Sequence, residues 1–283
     1  IITQTFGHGD LLHSLPVSWA DVRSSHRGFT LICDGVDECR KAARYALRDG
    51  ADYLKITTTG GVLSQRDKPD FVQFTLEEVK AIVEEAKHAK TFVASHAQGT
   101  EGINLALEAG VKTIEHAIYP DATSIRLAKE KNAIFIITYT IMKRIAERGE
   151  KAGYPPWAVK KAREVMEEYR ETIKRVDAEN VKIGVGTDFF GTPMTKMGTN
   201  AEELKLLVED VGLKPMKVIK AATIVNAEAC GLQDEIGSIE EGKIADIVVV
   251  NGNPLENISV LTDPNNIVLV MKEGKIVKNI MRK

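Results

Sequence analysis

Short apolar runs alternate with longer amphipathic segments along most of this chain, and this alternation limits the fold more than any other feature of the sequence. Strands are predicted at 52–57, 91–95, 112–115, 133–138 and 182–186, and most are followed by a segment with the apolar period of a helix. Parallel strands joined by helices bury both faces of their sheet. The pattern therefore predicts an α/β fold in which helices cover a parallel sheet.

The predicted helices are marked by their end signals as well as by their period. Thr75 and Glu78 form the capping-box pattern at the start of a helix over 75–89. Gly110 predicts the end of the next helix. The other helices are predicted over 100–109, 121–132, 156–180 and 200–211. The stretch 139–156 is predicted as a loop, either a lid over a site or a surface excursion.

Composition excludes several classes of protein. The 38 basic and 40 acidic residues are well mixed along the 283 positions, which argues against a nucleic-acid-binding patch. The cysteines, Cys33, Cys39 and Cys230, lack the spacing of a disulfide framework or a zinc site. No apolar run is long enough to cross a membrane, and the first residues do not resemble a signal peptide. We therefore expect a cytoplasmic protein that acts on small molecules.

Four polar residues lie at the ends of predicted strands: Lys55 in D-Y-L-K-I, His96 in F-V-A-S-H, His116 in T-I-E-H and Asp188 in V-G-T-D. In a (β/α)8 barrel the active site lies where the strands end. Imidazole, carboxylate and a lysine carboxylated by CO2 are suitable zinc ligands, and two such ions make a bridging water acidic enough to attack an amide. A single strand-end histidine is more often structural, but the four together favour a metal site. Glu115 either orients a ligand imidazole or is a loop carboxylate.

The pattern changes after residue 222. Short β runs broken by Gly and Asn follow one another towards the C-terminus, which predicts a small β portion that cannot hold a core alone. The predicted division is 1–230 for the barrel and 231–283 for the C-terminal part of a small β-sandwich.

The motifs resemble those of the amidohydrolase superfamily, in its prolidase-like branch of Xaa-Pro dipeptidases and imidazolonepropionase-like enzymes. The resemblance rests on T-F-G-H-G-D at 5–10, on the four strand-end motifs, and on G-S-I-E-E-G-K-I-A-D at 237–246. It implies a TIM barrel of the metal-dependent hydrolase type. It also implies a dipeptidase that cleaves Xaa-Pro or similar dipeptides through a metal-activated water. A cyclic-amide hydrolase or a deaminase of the same superfamily is the enzymatic alternative.

The resemblance further implies roles for individual residues. Lys55 would be carboxylated and bridge two zinc ions. His96 and His116 would hold one ion, while Asp188 would bind the other and carry the proton from the attacking water to the leaving nitrogen.

Two more residues are similar to groups that receive the α-carboxylate of the substrate in this branch. They are His8 in G-H-G-D and Tyr119, which follows I-E-H. The structural alternatives are that His8 caps a turn and that Tyr119 packs on the loop before Pro120.

The chain departs from the family at its start, because no H-x-H motif occurs in it. Roughly the first two barrel strands are expected to be missing, which leaves six of eight. Exposed sheet edges favour pairing, so a homo-oligomer is expected. Three hypotheses remain open: a piece of a longer hydrolase, a complete polypeptide that forms a self-completing oligomer, and an inactive relative used as a binding or structural module.

Overall fold

Seven parallel strands form the central sheet of the computed structural model, which describes residues 1–10 and 30–281. In chain order the strands are β1 (Ile2–Thr3), β2 (Leu31–Ile32), β3 (Leu54–Thr57), β4 (Val93–Ala97), β5 (Thr113–His116), β6 (Ile134–Ile137) and β7 (Lys182–Val185). Their order across the sheet is β2-β1-β3-β4-β5-β6-β7, and every pairing is parallel. The carboxyl ends of all these strands therefore lie along one edge.

This sheet has one strand more than the six expected. The additional strand is β2, whose residues pair with β1 in the register Ile2 to Leu31 and Thr3 to Ile32. A strand of two residues is too short to show an apolar period, which explains why the sequence pattern does not reveal it. The five strands predicted between residues 52 and 186 are confirmed as β3 to β7.

Helices connect the strands and cover the sheet. They are α1 (Val36–Arg48), α2 (Leu76–His88), α3 (Thr100–Ala109), α4 (Ala122–Lys131), α5 (Tyr139–Arg148), α6 (Pro156–Ala178), α7 (Glu202–Glu209), α8 (Pro215–Lys220) and α9 (Asn226–Cys230), with a π-helical turn at Ala221–Val225. Of the helices in residues 1–10 and 30–281, none is long and apolar enough to cross a bilayer. The alternation of strand and helix confirms the predicted α/β class.

The predicted helix ends follow from local chemistry. The Thr75 hydroxyl accepts from the backbone N–H of Glu78 while the Glu78 carboxylate accepts from that of Thr75, so the capping box is confirmed. Gly110 follows α3 with a φ of 93°, a left-handed conformation that glycine adopts without strain. All five residues of β4 are buried, as expected for a strand covered on both faces.

The prediction of a loop over 139–156 is wrong for most of that stretch. Helix α5 begins at Tyr139, directly after β6, and buries Ile141, Met142 and Ile145. No side chain of its own first turn caps it. Instead the carboxylate of Glu203, on α7, accepts hydrogen bonds from the backbone N–H groups of Tyr139 at 2.6 Å and Thr140 at 2.8 Å. Since this cap comes from a distant part of the chain, no local signal marks the start of the helix.

The C-terminal region forms a separate antiparallel sheet in the order β10-β9-β8, with β8 at Ile247–Val250, β9 at Ile267–Lys272 and β10 at Lys275–Asn279. Val248, Ile276 and Val277 are exposed on it. Short β elements are thus present where the sequence predicts them. The division at residue 230 stays a prediction, and residues 11–29 and 282–283 within the two predicted units lie outside the described ranges.

Glu203 is fully buried, and its burial makes the free energy of unfolding depend on pH. Burial raises the pKa of its carboxyl group from 4.5 to about 8, even though backbone N–H groups donate to it. Between these two pH values the folded protein binds the proton more tightly than the unfolded chain does. The free energy of unfolding therefore decreases as the pH rises through this window.

We predict that Glu203→Gln, which cannot lose a proton, removes this contribution. The slope of unfolding free energy against pH between 5 and 8 should become less negative by up to about 1.4 kcal/mol per pH unit. Urea unfolding at several pH values measures the slope. Glu108→Gln, at an exposed position of α3, is the matched control and should keep the wild-type slope. Equal slopes for the two variants would contradict the assignment.

Candidate active site

The four predicted metal ligands line one cavity at the carboxyl edge of the sheet. This cavity has a volume of about 420 Å³ and contains Lys55, His96, His116 and Asp188 in its wall. His8 lines it as well. The remaining lining residues are Ile1, Gly9, Thr30, Thr57, Glu115, Ile136, Thr138, Gly186 and Phe190. Parallel strands thus bring together five residues that are far apart in sequence.

The register of the strands explains why Thr57, His96 and Glu115 form a row in the cavity wall. Thr57 is paired with His96, and His96 is paired with Glu115. Side chains alternate along a strand, so Lys55, two residues before Thr57, faces the same side as this row. Lys55 therefore lies within β3 rather than at its end, deeper in the cavity than His96.

Glu115 belongs to the cavity wall, so its interpretation as a loop carboxylate is wrong. It lies within β5, and its carboxylate accepts a hydrogen bond of 2.6 Å from the Thr113 hydroxyl. Its alternative role, orienting the neighbouring imidazole, stays a prediction. A sequence signal for this position exists: if β4 and β5 are aligned so that His96 pairs with Glu115, the two side chains face the same side of the sheet.

His116 and Asp188 enter the cavity through unusual backbone conformations. Consecutive strand residues face opposite sides, yet Glu115 and His116 line the same cavity. The φ of His116 is 73°, that of Ala117 is 48° and that of Asp188 is 54°. For residues other than glycine, this region costs on the order of 1–3 kcal/mol each and persists where the surroundings enforce it. Such positions cluster at functional sites in proteins.

Three imidazole rings are in contact. His8 stacks on His96 with 4.0 Å between ring centroids and 12° between ring planes. His96 meets His116 edge to face, with centroids 4.7 Å apart. One nitrogen of each inner ring has a protein partner: His96 Nε2 lies 3.1 Å from the Gly60 carbonyl oxygen, and His116 Nδ1 lies 2.6 Å from the Thr138 hydroxyl. These bonds fix both rings and leave His96 Nδ1 and His116 Nε2 as the candidate ligand atoms.

Burial sets the protonation of the site. It lowers the pKa of His96 well below 6.5, and it lowers the pKa of His116 to about 4, so both imidazoles are neutral at pH 7. Burial also lowers the pKa of Lys55, while the nearby carboxylates of Glu115 and Asp188 act in the opposite direction. Neutral imidazoles and a lysine with a depressed pKa are the forms that metal ligation and carboxylation require.

The side chains in the cavity are of the types that bind metals, but the distances between them are not those of a formed metal site. Across residues 1–10 and 30–281, no three His, Cys, Asp or Glu side chains converge closely enough to form a metal cluster. The four predicted ligands in the cavity offer instead two imidazoles, one carboxylate and one lysine amine, and His8 and Glu115 lie in the same wall. A carboxylated lysine adds two oxygen ligands, which would extend the reach of Lys55 towards the imidazoles.

The structure does not bring Tyr119 into this cavity. Tyr119 lines a second cavity of about 870 Å³, together with Trp157, Lys161 and Arg175 of α6. Its backbone N–H donates to Gln98, and its carbonyl oxygen accepts from the Thr100 hydroxyl. The pairing of His8 with Tyr119 as a carboxylate-binding unit stays a prediction.

A buried tyrosine hydroxyl joins the ends of β5 and β6, and sequence reasoning does not identify it. The Tyr169 hydroxyl, on α6, donates to the His116 carbonyl oxygen at 2.6 Å and accepts from the Thr138 backbone N–H at 3.2 Å. Thr138 in turn bonds the His116 ring. Tyr169 therefore holds both the strained backbone of His116 and the residue that orients its imidazole.

Comparison with known proteins gives consistent matches over nearly the whole chain. The amidohydrolase family profile matches residues 6–277. Ochratoxinase from Aspergillus niger is 35% identical to this chain over an alignment of 288 positions, gaps included. The alignment covers 98% of this chain and 58% of the ochratoxinase. A crystal structure of a Xaa-Pro dipeptidase with methionine in its active site is 35% identical, with a TM-score of 0.86 over 98% of this chain and 66% of that chain.

A prolidase complexed with N-methylphosphonate-L-proline is also similar. It is 34% identical, with a TM-score of 0.87 over 98% of this chain and 67% of that chain. These matches confirm the predicted hydrolase-type barrel fold and the resemblance to the prolidase-like branch. This chain spans a little more than half the length of the ochratoxinase.

We predict that Tyr169→Phe lowers the free energy of unfolding by about 1–3 kcal/mol, because the buried Thr138 N–H loses its partner. Chemical denaturation measures the change. Tyr45→Phe is the matched control, since Tyr45 is 47% exposed, and it should change stability by less than about 0.5 kcal/mol. If the two variants had the same free energy of unfolding, the Tyr169 hydroxyl would not stabilise the fold.

Proposed function

Because the chain belongs to the amidohydrolase family, we propose that it carries the active site of a metal-dependent amide hydrolase whose substrates are Xaa-Pro or similar dipeptides. Members of this superfamily are generally metal-dependent. One observation carries the proposal: two neutral imidazoles, a half-buried lysine and an aspartate line the same cavity, and their strands lie in the sheet in the order in which the motifs occur along the chain. The predicted homo-oligomer and cytoplasmic location stay predictions.

The proposed ligands are Lys55, His96, His116 and Asp188, holding two zinc ions. A neutral Lys55 amine would react with CO2 to give a carbamate and a released proton, and in this form Lys55 would supply oxygen ligands to the metals. When bound, the metals supply Lewis-acid activation of water near neutral pH. The Gly60 carbonyl and the Thr138 hydroxyl keep the two imidazoles oriented with their free nitrogens available.

Asp188 is the proposed catalytic residue for proton transfer. Its position beyond the end of β7, with positive φ, places it in the cavity wall with the two histidines. There its carboxylate would accept the proton from the attacking water and donate it to the leaving nitrogen, so that the amine departs as a neutral group. Amide cleavage needs both transfers, and one suitably placed carboxylate can perform them in turn.

The similar structures support a dipeptide with a free carboxylate as the substrate. One is a Xaa-Pro dipeptidase with methionine bound in its active site, and another is a prolidase holding N-methylphosphonate-L-proline. In this chain, His8 offers an imidazole at the cavity wall beside His96. The ochratoxinase match supports a second candidate substrate, ochratoxin. Parallel assays with an Xaa-Pro dipeptide and ochratoxin would separate these two candidates.

We predict that the chain binds about two zinc ions after incubation with zinc and bicarbonate, and that Lys55→Met reduces this to one or none because the bridging ligand is lost. Elemental analysis after desalting measures the ratio. Lys160→Met is the matched control, because Lys160 is an exposed lysine of α6, and it should bind zinc as the wild type does. Equal zinc content in the Lys55 and Lys160 variants would contradict the proposed metal centre.

We predict that His8→Ala raises KM by about tenfold for dipeptides with a free carboxylate and changes KM little for carboxamide-blocked dipeptides, since the proposed role of His8 is to bind the carboxylate. Tyr119→Phe tests the second half of the predicted pair. His88→Ala, at an exposed position of α2, is the control. Equal losses on free and blocked substrates would mean that these residues do not bind the carboxylate.

A further inference from the structure

The ammonium group of Lys161 donates its hydrogen bonds to a single loop. Lys161 lies on α6, and only 14% of its side chain is exposed. Its Nζ atom donates to three backbone carbonyl oxygens: Gly61 at 2.9 Å, Ser64 at 2.7 Å and Asp67 at 2.5 Å. An ammonium has three hydrogens to donate, so all of them are used here. We call residues 61–67 the β3 loop, because they follow β3 in the chain.

The same loop encloses a fully buried carboxylate. Asp67 accepts hydrogen bonds from the Ser64 hydroxyl, from the Gly61 backbone N–H at 3.2 Å and from the Gln73 side-chain amide at 3.3 Å. Its carboxylate lies 3.7 Å from the Lys161 ammonium. A buried charge is tolerated only when it is paired and hydrogen-bonded. Lys161 therefore neutralises Asp67 and also joins the two ends of the loop.

The β3 loop sets the position of His8. Ser64 Oγ lies 2.7 Å from His8 Nδ1, and a carboxylate oxygen of Asp67 lies 3.7 Å from the same atom. The His8 ring also occupies the space beside Gly61, where a Cβ atom would lie 2.3 Å from the ring. Since His96 stacks on this ring, His8 is held between the loop and His96. With Nδ1 engaged by the loop, Nε2 is the nitrogen available to a substrate.

We propose that Lys161 is a positioning residue for substrate binding: it holds the β3 loop in the conformation that fixes His8 over His96. The inference rests on the proposed function, in which His8 receives the substrate carboxylate. Without the ammonium, three carbonyl oxygens and one buried carboxylate lose their shared partner. The loop then opens and His8 loses its orientation, while the groups proposed for the metal centre stay on their strands.

Proteolysis tests whether Lys161 keeps the β3 loop closed, and this test does not require enzymatic activity. Arg66 is an exposed trypsin site within the β3 loop. Cleavage under native conditions follows the population of the open form. We expect cleavage after Arg66 to be about tenfold faster or more in Lys161→Met than in the wild type, with cleavage unchanged at the sites that both proteins share. Lys160→Met, which removes the neighbouring exposed lysine, should behave as the wild type.

Kinetics test the consequence for substrate. Lys161→Met should raise KM for a free dipeptide about tenfold and change kcat by less than about twofold, because binding of the carboxylate by His8 is the same in the ground state and in the transition state. Ser64→Ala removes the hydroxyl next to His8 but keeps the backbone carbonyl that Lys161 binds. It should raise KM similarly while the loop stays better protected from trypsin than in Lys161→Met, because the three bonds from the ammonium remain although the Ser64 bond to Asp67 is lost.

If Lys161→Met does not fold, Lys161→Gln, which keeps amide donors without the charge, replaces it in both assays and should show the same changes at smaller size. The inference is overturned if these Lys161 variants are as protected as Lys160→Met, or if their defect lies in kcat alone. Failure of the proposed function looks different. The wild type would then hydrolyse no dipeptide, yet the difference in cleavage after Arg66 would persist.

Discussion

The candidate site depends on the parallel register at the carboxyl ends of β3, β4 and β5. Thr57, His96 and Glu115 form one row because their strands are aligned at these residues. A shift of one residue in any strand would turn its polar side chains towards the helices. Ile56 and Ile114, which face the helices at the positions just before Thr57 and Glu115, are completely buried. The apolar packing outside the sheet therefore determines which polar groups meet inside it.

Packing alone does not account for the residues that leave the regular strand geometry. His116 and Asp188 have positive φ, and both lie in the cavity wall. At His116 the surroundings that enforce this conformation are visible: the Tyr169 hydroxyl bonds its carbonyl oxygen and Thr138 bonds its ring. Such support fixes the orientation of a side chain in a cavity wall. The strain at His116 is thus balanced by bonds from α6 and from the end of β6.

Much of the fold and the inner site could be predicted from the sequence, because both depend on local patterns. Apolar runs located the strands, and polar residues at the carboxyl ends of parallel strands meet at one edge, so Lys55, His96, His116 and Asp188 lie together. Groups supplied from a distance could not be predicted. Glu203 caps α5 from another helix, which concealed the start of that helix within an apolar stretch.

The same limit applies to Tyr169 and Lys161. Each occupies an ordinary position in the pattern of a long amphipathic helix, and nothing in that pattern states which loop or strand the helix will touch. Tyr119 shows the converse case. A motif match predicts that Tyr119 binds the substrate carboxylate as His8 does, and Tyr119 lies in the wall of the cavity along α6, so this role stays a prediction. Sequence spacing after a strand does not determine the direction in which the following loop turns.

Helix α6 supplies both Tyr169, which supports the His116 backbone, and Lys161, which binds the β3 loop. The two residues lie about 12 Å apart along the helix axis. Insertion of a single residue between them would rotate one relative to the other by about 100° and break one of the two connections. Changes within α6 would therefore alter the His116 side and the His8 side of the cavity together. A change in the β3 loop, by contrast, would alter the His8 side and leave the support of His116 by Tyr169 in place.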